Sequence, residues 1–323
     1  MTPVTPETEL YLLFENQRAV VSPWGASLRR YLLIDDLGRE TDIVWGYSDG
    51  NGKRGGQGDV LIPFPGRISD GRYMFEGQSL QLERNDKEGP NSIHGFVRSL
   101  PWQVQDAHPN TVTFEVRLDV DTYTARGYPF SLAVWITYEL GPSGLICTFT
   151  VENIGQRAAP VGVGFHPYFT VGTSTIDDAE VRIPGASYLE FNERLVPTGA
   201  IVNVADTPWD CRCFRRVGGH RFNHCYVGLE RDAQGLATAS LRHGAHGRAI
   251  DVTMDDAFSA VVVYTGDAIA DSPRAALAIE PMTCASDAFN HPDWGLKRLV
   301  PGELFSGRYI VRHRDPSVAT HSH

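Results

Sequence analysis

One histidine of this chain stands in a stretch of unusually stiff backbone. His166 lies within Gly162–Phe169, between two aromatic residues, with glycines before it and Pro167 directly after it. Proline fixes its own φ and drives the preceding residue toward extended geometry. We therefore expect His166 at the end of a strand and held in one direction, either as a half-buried core histidine or as a group that transfers protons.

Three more side chains with acid, base or donor groups follow or adjoin stiff segments. Arg67 comes after a proline-rich segment, and His94 directly precedes a glycine. Glu280 directly follows the apolar run Ala275–Ile279. A carboxylate at the end of a buried strand loses hydration, which raises its pKa unless other groups compensate. Each has a plain structural alternative, such as a surface ion pair for Arg67. Together with His166 they could form one acid/base site, but their spacing does not show that they meet.

Alternating apolar and polar residues identify the elements that would position these groups. The alternation is clearest in Thr111–Val120, Leu132–Leu140 and Leu145–Val151, and a period of two is typical of strands with one buried face. The link Gly141–Gly144 has turn residues. Since parallel strands need long crossovers, these three strands are predicted to form an antiparallel meander.

Similar segments continue along the chain, and no amphipathic helix of three turns is evident. Glycine and proline number 32 and 20, which favours many short elements joined by turns. We predict a mostly β protein with two large sheets packed face to face. Further strands are expected at Leu10–Phe14, Ala19–Ser22, Ala26–Ile34, Tyr188–Phe191, Ala249–Thr253, Ala260–Tyr264 and Tyr309–Arg312.

No composition break divides the chain, so we expect one domain over residues 1–323. Residues 1–8 and 314–323 are expected to be loose ends. The segment Asp49–Asp59 is rich in glycine and polar residues, which indicates a mobile surface loop. Because it immediately precedes Val60–Ile68, it could flank a site.

The composition excludes several classes of function. The chain has 29 Lys and Arg against 39 Asp and Glu, a net charge of −10, whereas a general nucleic-acid surface needs clustered basic residues. No apolar run approaches the ~18 residues of a membrane helix, and Met1–Leu10 lacks the features of a signal peptide. We expect a cytoplasmic protein that handles neutral small molecules and binds neither nucleic acid nor membrane.

The five cysteines do not indicate a disulfide framework, because their number is odd and no signal peptide is evident. A group of potential zinc ligands lies close together in sequence, but its spacing matches no common zinc pattern. We therefore expect free thiols and no metal site. The group consists of Cys211, Cys213, His220, His224 and Cys225.

An ordered set of motifs from about Ala19 to Arg312 resembles the aldose 1-epimerase (galactose mutarotase) family. The form Glu280-Pro-Met-Thr-Cys284 resembles a bacterial branch whose substrates are poorly settled. The motifs are Trp24–Leu28, Asn91–Phe96, Gly127–Phe130, Ala159–Phe169, Ile279–Cys284 and Pro301–Glu303.

The resemblance implies a large antiparallel β-sandwich of the galactose mutarotase type and interconversion of the α and β anomers of a free aldose. It implies that Glu280 is the base that takes the proton of the anomeric hydroxyl and that His166 is the acid that protonates the ring oxygen. It also implies that Arg67 and His94 bind sugar oxygens. The implied partner is a small sugar, and the reaction requires no metal or organic cofactor.

Two positions depart from the family pattern and bear on sugar preference. Gly66 stands where the family usually has asparagine, and Asn223 stands where it usually has an aspartate that contacts a sugar hydroxyl. Asparagine keeps an acceptor and adds donors, but it loses the charge. The aromatic residue that stacks on the sugar stays open among Trp24, Phe64, Phe96, Trp102 and Tyr168.

Two alternative functions remain at the level of sequence. An epimerase for phosphorylated hexoses would need basic residues near the far end of the sugar, for which Arg72 and Arg98 are candidates. A non-catalytic sugar-binding or sensing module would use the same β-sandwich without chemistry, because fold does not imply function.

Overall fold

Strands dominate the computed structural model, which describes residues 8–47, 53–244 and 247–314. Helical structure in these ranges is limited to the one-turn α-helix α1 (Val120–Tyr123) and short 3-10 turns at Ser69–Gly71, Val97–Ser99, Thr124–Arg126, Ile176–Asp178 and Pro292–Trp294. No helix in the described part of the chain has the length and apolar character needed to span a bilayer. The prediction of a mostly β protein is confirmed, and the expected loose ends fall almost wholly outside the described residues.

The first half of the chain contains β1 (Leu10–Phe14), β2 (Gln17–Ser22), β3 (Ser27–Ile34), β4 (Glu40–Val44), β5 (Val60–Leu61), β6 (Arg67–Ile68), β7 (Arg72–Phe75), β8 (Gln78–Gln81), β9 (Ser92–Ile93), β10 (Gln103–His108), β11 (Thr111–Leu118), β12 (Leu132–Gly141) and β13 (Gly144–Asn153). The second half contains β14 (Ala159–Val161), β15 (Gly164–Phe165), β16 (Tyr168–Phe169), β17 (Ala179–Arg182), β18 (Gly185–Phe191), β19 (Pro197–Asn203), β20 (Arg215–Arg216), β21 (Asn223–Leu229), β22 (Ala237–His243), β23 (Ala249–Met254), β24 (Ala260–Tyr264), β25 (Leu277–Met282), β26 (Lys297–Leu299) and β27 (Leu304–Arg314).

Two large sheets carry most of these strands. Among the described residues, the first sheet has 12 strands, with a main path β1-β2-β3-β4-β16-β25-β24-β21-β18-β19 to which β15 and β5 add. The second has 9 strands in the order β10-β11-β12-β13-β27-β23-β22-β17-β20. One cluster of buried apolar side chains draws members from both sheets, as expected for sheets packed face to face.

The predicted antiparallel meander is confirmed in β11, β12 and β13. Phe114 lies opposite Ile136, and Ile136 lies opposite Phe149, so the apolar positions share one buried face. The prediction was wrong at the end of the first strand, Thr111–Val120. The carbonyl of Asp119 accepts hydrogen bonds from the amides of Thr122 and Tyr123, which turns the chain into α1, so that Val120 is helical and largely exposed.

The strand order of the 12-stranded sheet brings distant segments side by side. β25 runs through its middle between β16 and β24, and all six of its residues are buried. Glu280 on β25 lies opposite Val262 on β24, and β24 in turn lies beside β21, where Tyr264 pairs with Asn223. Asn223 and Glu280, which are more than fifty positions apart in sequence, therefore lie on strands separated only by β24.

Candidate active site

A buried carboxylate and a buried imidazole face each other at the centre of the candidate site. Nε2 of His166 lies 3.4 Å from Oε1 of Glu280. The two residues are only 5% and 3% exposed, so neither group is surrounded by solvent. At this separation the two atoms are in contact but do not form a good hydrogen bond, and catalytic contacts often tighten only when substrate is bound.

The backbone on both sides fixes the direction of His166. The residue lies between β15 and β16, with Pro167 after it, and its ring stacks on Tyr168 with centroids 5.1 Å apart. Its amide donates to the carbonyl of Asp59 at 3.0 Å, and its carbonyl accepts from the amide of Gly58 at 2.9 Å. The expected rigid position at a strand end is therefore present.

The segment that contacts His166 is the one predicted to be a mobile surface loop, Asp49–Asp59. Its first part lies outside the described residues, but Gln57, Gly58 and Asp59 are buried, and for these residues the prediction was wrong. Burial is tolerated because the polar groups are satisfied internally: the Gln57 side-chain amide donates to the Gly46 carbonyl at 3.0 Å, and the Asp59 carboxylate contacts Lys53 and Arg98. The expectation that this segment flanks a site fits the structure, since Gly55 and Gly56 line the cavity.

His94 presents one ring nitrogen to the backbone and leaves the other free for a ligand. Its Nδ1 accepts a hydrogen bond from the Gly66 amide at 3.2 Å, which fixes the proton of the neutral imidazole on Nε2. Its ring lies edge-on to His166 with centroids 5.6 Å apart. Burial, with the neighbouring His166 and two arginines, lowers the pKa of His94 well below its usual value, so the ring is a neutral donor.

Arg67 combines the two interpretations that the sequence left open. Its side chain is 13% exposed and pairs with Asp86 at 2.8 Å and with Glu88 at 2.7 Å, yet it also lines the cavity. Asp86 is held in turn by the Asn91 side-chain amide at 3.0 Å. A guanidinium fixed by two carboxylates keeps its orientation and presents its remaining donors to a ligand.

Burial determines the protonation of the central pair. It raises the pKa of the Glu280 carboxyl well above its usual range, and the positive charge of Arg67 lowers it only in part. Burial also lowers the pKa of the His166 imidazole far below its usual value. Because both shifts disfavour charge, each group favours its neutral form, in which the carboxyl carries the one proton that the two groups have between them.

A single cavity of about 770 Å³ brings together all five residues proposed from the sequence. Arg67, His94, His166, Asn223 and Glu280 all line it. The side-chain amide of Asn223 makes no hydrogen bond within the described ranges, so it can donate to or accept from a ligand. Their chemical roles stay proposals.

The aromatic surface of the cavity comes from residues that sequence reasoning missed. Of the five candidates for stacking, Phe64, Phe96 and Trp102 belong to the core, Trp24 is half exposed, and Tyr168 lies behind His166. None of them lines the cavity; its aromatic residues are Phe191, Phe222 and Tyr264. Alternating strand patterns do not distinguish an aromatic that faces the core from one that faces a cavity, so the sequence held little signal.

The basic residues proposed for a phosphate do not form one cluster. Arg98 lines the cavity, but its guanidinium lies 3.4 Å from the buried Asp59 carboxylate. Arg72 is exposed and donates to Gln81 at 3.2 Å, outside the cavity lining. As to the cysteines and histidines of the rejected zinc pattern, the described residues include no cluster of three or more ligands arranged for a metal.

Comparisons with known proteins bear on the family and on the fold. The family model described as aldose 1-epimerase matches residues 10–312. Galactose mutarotase of Mus musculus is 29% identical over 326 residues and covers 92% of both chains. The uncharacterized protein YihR of Escherichia coli (strain K12) is 30% identical over 234 residues, which are 72% of this chain and 71% of that protein. The crystal structure of the GalM/aldose epimerase homologue from C. elegans superimposes with a TM-score of 0.84 at 19% identity, over 96% of this chain and 99% of its own, and supports the fold.

Gly66, where the family motif usually has asparagine, is predicted to tolerate no side chain. Its φ is +68°, and a Cβ atom there would lie 2.2 Å from Oγ of Ser286. A left-handed φ costs an L-residue ~1–2 kcal/mol and overpacking adds ~1–3 kcal/mol, so Gly66→Ala should lower the free energy of unfolding by at least about 2 kcal/mol in urea denaturation.

The matched control is Gly38→Ala, where φ is +77° but nothing lies within 4 Å of the added atom. This variant should lose only the free energy of unfolding that a left-handed φ costs an alanine. A loss for Gly66→Ala no larger than that for Gly38→Ala would contradict the close packing of Ser286 on Gly66.

Proposed function

The chain belongs to the aldose 1-epimerase family, and from this premise we propose that it is an isomerase that interconverts the α and β anomers of a free aldose. The observation that carries the proposal is the buried pair of Glu280 and His166, 3.4 Å apart, in a cavity lined by further sugar-binding groups. A positioned acid and base are what hemiacetal opening requires, because one proton must leave the anomeric hydroxyl while another reaches the ring oxygen.

The proton transfers use the charged form of the pair. The Glu280 carboxylate takes the proton of the anomeric hydroxyl, and the His166 imidazolium gives its Nε2 proton to the ring oxygen. The C1–O5 bond breaks, the C1–O1 bond becomes a carbonyl, and the open-chain aldehyde forms. Rotation about C1–C2 and the reverse transfers close the ring on its other face.

The electrostatics of the site favour this sequence. The first step converts a carboxylate and an imidazolium into their neutral forms, and burial favours the neutral form of each group. The open-chain state is thus reached with relief of two buried charges. Arg67 opposes the shift of Glu280 in part, which keeps the carboxylate accessible as a base.

The remaining polar groups orient the sugar. His94 offers a neutral Nε2–H donor, Arg67 offers guanidinium donors, and Asn223 offers both a donor and an acceptor. Arg67 and Arg98 already contact carboxylates, so the balance of charge favours a neutral sugar over a phosphorylated one. The galactose mutarotases and the maltose epimerase among the relatives make galactose and maltose the first aldoses to test.

Polarimetry on freshly dissolved α-anomers tests the proposal. We expect the protein to accelerate the mutarotation of at least one free aldose over buffer, since each positioned acid or base contributes ~10²–10⁴-fold. The 6-phosphate of the same hexose should be converted more slowly. No acceleration across a broad aldose panel would refute the enzyme and favour a sugar-binding module, whereas faster conversion of the phosphate would favour the phosphorylated-hexose alternative.

The pH dependence of kcat/KM should show two limbs that belong to the pair. On the acid limb a second proton binds to His166, whose pKa is lowered by burial. On the alkaline limb the remaining proton leaves Glu280, whose pKa is raised by burial. The shifts push the limbs apart, so we expect a plateau through neutral pH with its acid limb below the ordinary histidine pKa of ~6.5. Rates corrected for buffer catalysis at each pH measure this, and an acid limb at or above that value would contradict the lowered pKa of His166.

A further inference from the structure

Ser286 carries a hydroxyl group that has no hydrogen-bond partner among the residues that the structure describes. The residue is only 4% exposed, and the surface it retains lies on the cavity. Its Oγ makes no hydrogen bond to any residue in the described ranges, and it does not belong to the fully enclosed polar atoms without a partner, so it is accessible from the cavity. Since polar groups at a cavity are satisfied by water or by a ligand where the protein supplies no partner, this hydroxyl is available to a molecule that enters the cavity.

The backbone holds Ser286 firmly against the arginine segment. The amide of the next residue, Asp287, donates to the Arg67 carbonyl at 2.8 Å, and the Asp287 carboxylate accepts from the Ser69 amide at 3.0 Å. The amide of the preceding residue, Ala285, donates to the Trp294 carbonyl at 3.0 Å. The backbone that carries the hydroxyl is thus fixed on both sides, so Ser286 keeps its place at the cavity when a ligand enters.

The absence of a side chain at position 66 gives the Ser286 side chain its place. A Cβ on Gly66 would lie 2.2 Å from Oγ and 3.0 Å from Cβ of Ser286, so the serine occupies the space that a side chain at 66 would need. Gly66 also donates its amide to His94 and directly precedes Arg67. The hydroxyl therefore lies at the end of the cavity where Arg67 and His94 stand.

We propose that the Ser286 hydroxyl hydrogen-bonds a hydroxyl group of the sugar and helps to determine which aldose is accepted. The inference rests on the proposed function, in which Glu280 and His166 engage the anomeric hydroxyl and the ring oxygen. Ser286 is left to contact one of the other hydroxyls. A serine can both donate and accept, and a site built to bond a substrate hydroxyl discriminates against the analogue that lacks it.

A deoxy-sugar series on the wild-type protein and on Ser286→Ala tests this inference. We expect Ser286→Ala to raise KM for the preferred aldose by about 3- to 10-fold, the loss of one neutral hydrogen bond, with little change in kcat because the contact is made in ground and transition states alike. One of the 2-, 3-, 4- and 6-deoxy analogues should lack the hydroxyl that Ser286 contacts. For that analogue the wild-type KM should be raised, and Ser286→Ala should not raise it further, because the hydrogen bond is already missing.

The matched control is Ser259→Ala, which removes a hydroxyl that donates to the Thr283 carbonyl at 2.8 Å, outside the cavity lining. It should leave KM unchanged for every sugar. If Ser286→Ala does not fold, as judged by its thermal unfolding, Ser286→Cys keeps the branching of the side chain with a somewhat larger atom that bonds weakly, and it should raise KM in the same direction.

The outcomes distinguish the role of Ser286 from the proposed function. A wild-type KM in Ser286→Ala for every aldose that is converted overturns the role of Ser286 and leaves the proposed function standing. An equal rise in KM for all deoxy analogues would also overturn it, because a structural defect spares no sugar. If no aldose is converted, the proposed function fails, and calorimetric affinities of wild type and Ser286→Ala for the same sugars still measure the contact; equal affinities, or no binding at all, refute it.

Discussion

The removal of water from one carboxylate and one imidazole is the constraint on which the rest of the structure depends. Glu280 lies on the fully buried strand β25, and His166 is enclosed by the buried segment before β5 and by the ring of Tyr168. Either charge alone would be costly in such a place. They lie opposed at 3.4 Å, and in the proposed reaction they hold one proton between them, so that the cost of charging them favours its transfer when a sugar enters.

The surrounding charges are arranged so that this proton is the one free to move. Arg67 is matched by Asp86 and Glu88, and the buried Asp59 is matched by Lys53 and Arg98. Hydrogen bonds from Arg67 and Asn91 outweigh the burial of Asp86 and lower its pKa, so that carboxylate stays charged. In the proposed function, paired groups of this kind would orient a sugar without competing for its anomeric proton.

Local features of this structure could be predicted from the sequence. Period-two alternation predicted the meander β11–β13, and stiff backbone around His166 predicted a fixed position at a strand end. It could not show that β16, β25, β24 and β21 would be neighbours, because strand order is set by long-range packing. The meeting of His166, Glu280 and Asn223 became visible only with the sheet.

The errors have a common physical origin. Glycines and polar residues before Asp59 indicate an exposed loop, yet hydrogen bonds to His166 and ion pairs allow its end to be buried. Likewise, nothing in the residue types of Asp86, Glu88 or Ser286 indicates their contacts with the segment of Gly66 and Arg67. Such features depend on partners far along the chain, which local patterns do not encode.

The most direct test of the central claim is the rate of mutarotation by Glu280→Gln together with its affinity for the sugar. The substitution preserves shape and removes the base, so kcat should fall by about 10²–10⁴-fold or more, while calorimetric sugar affinity stays close to that of wild type. The exposed Glu193→Gln should retain full activity as the control. A Glu280→Gln protein that turns over near the wild-type rate would contradict the assignment of Glu280 as the base.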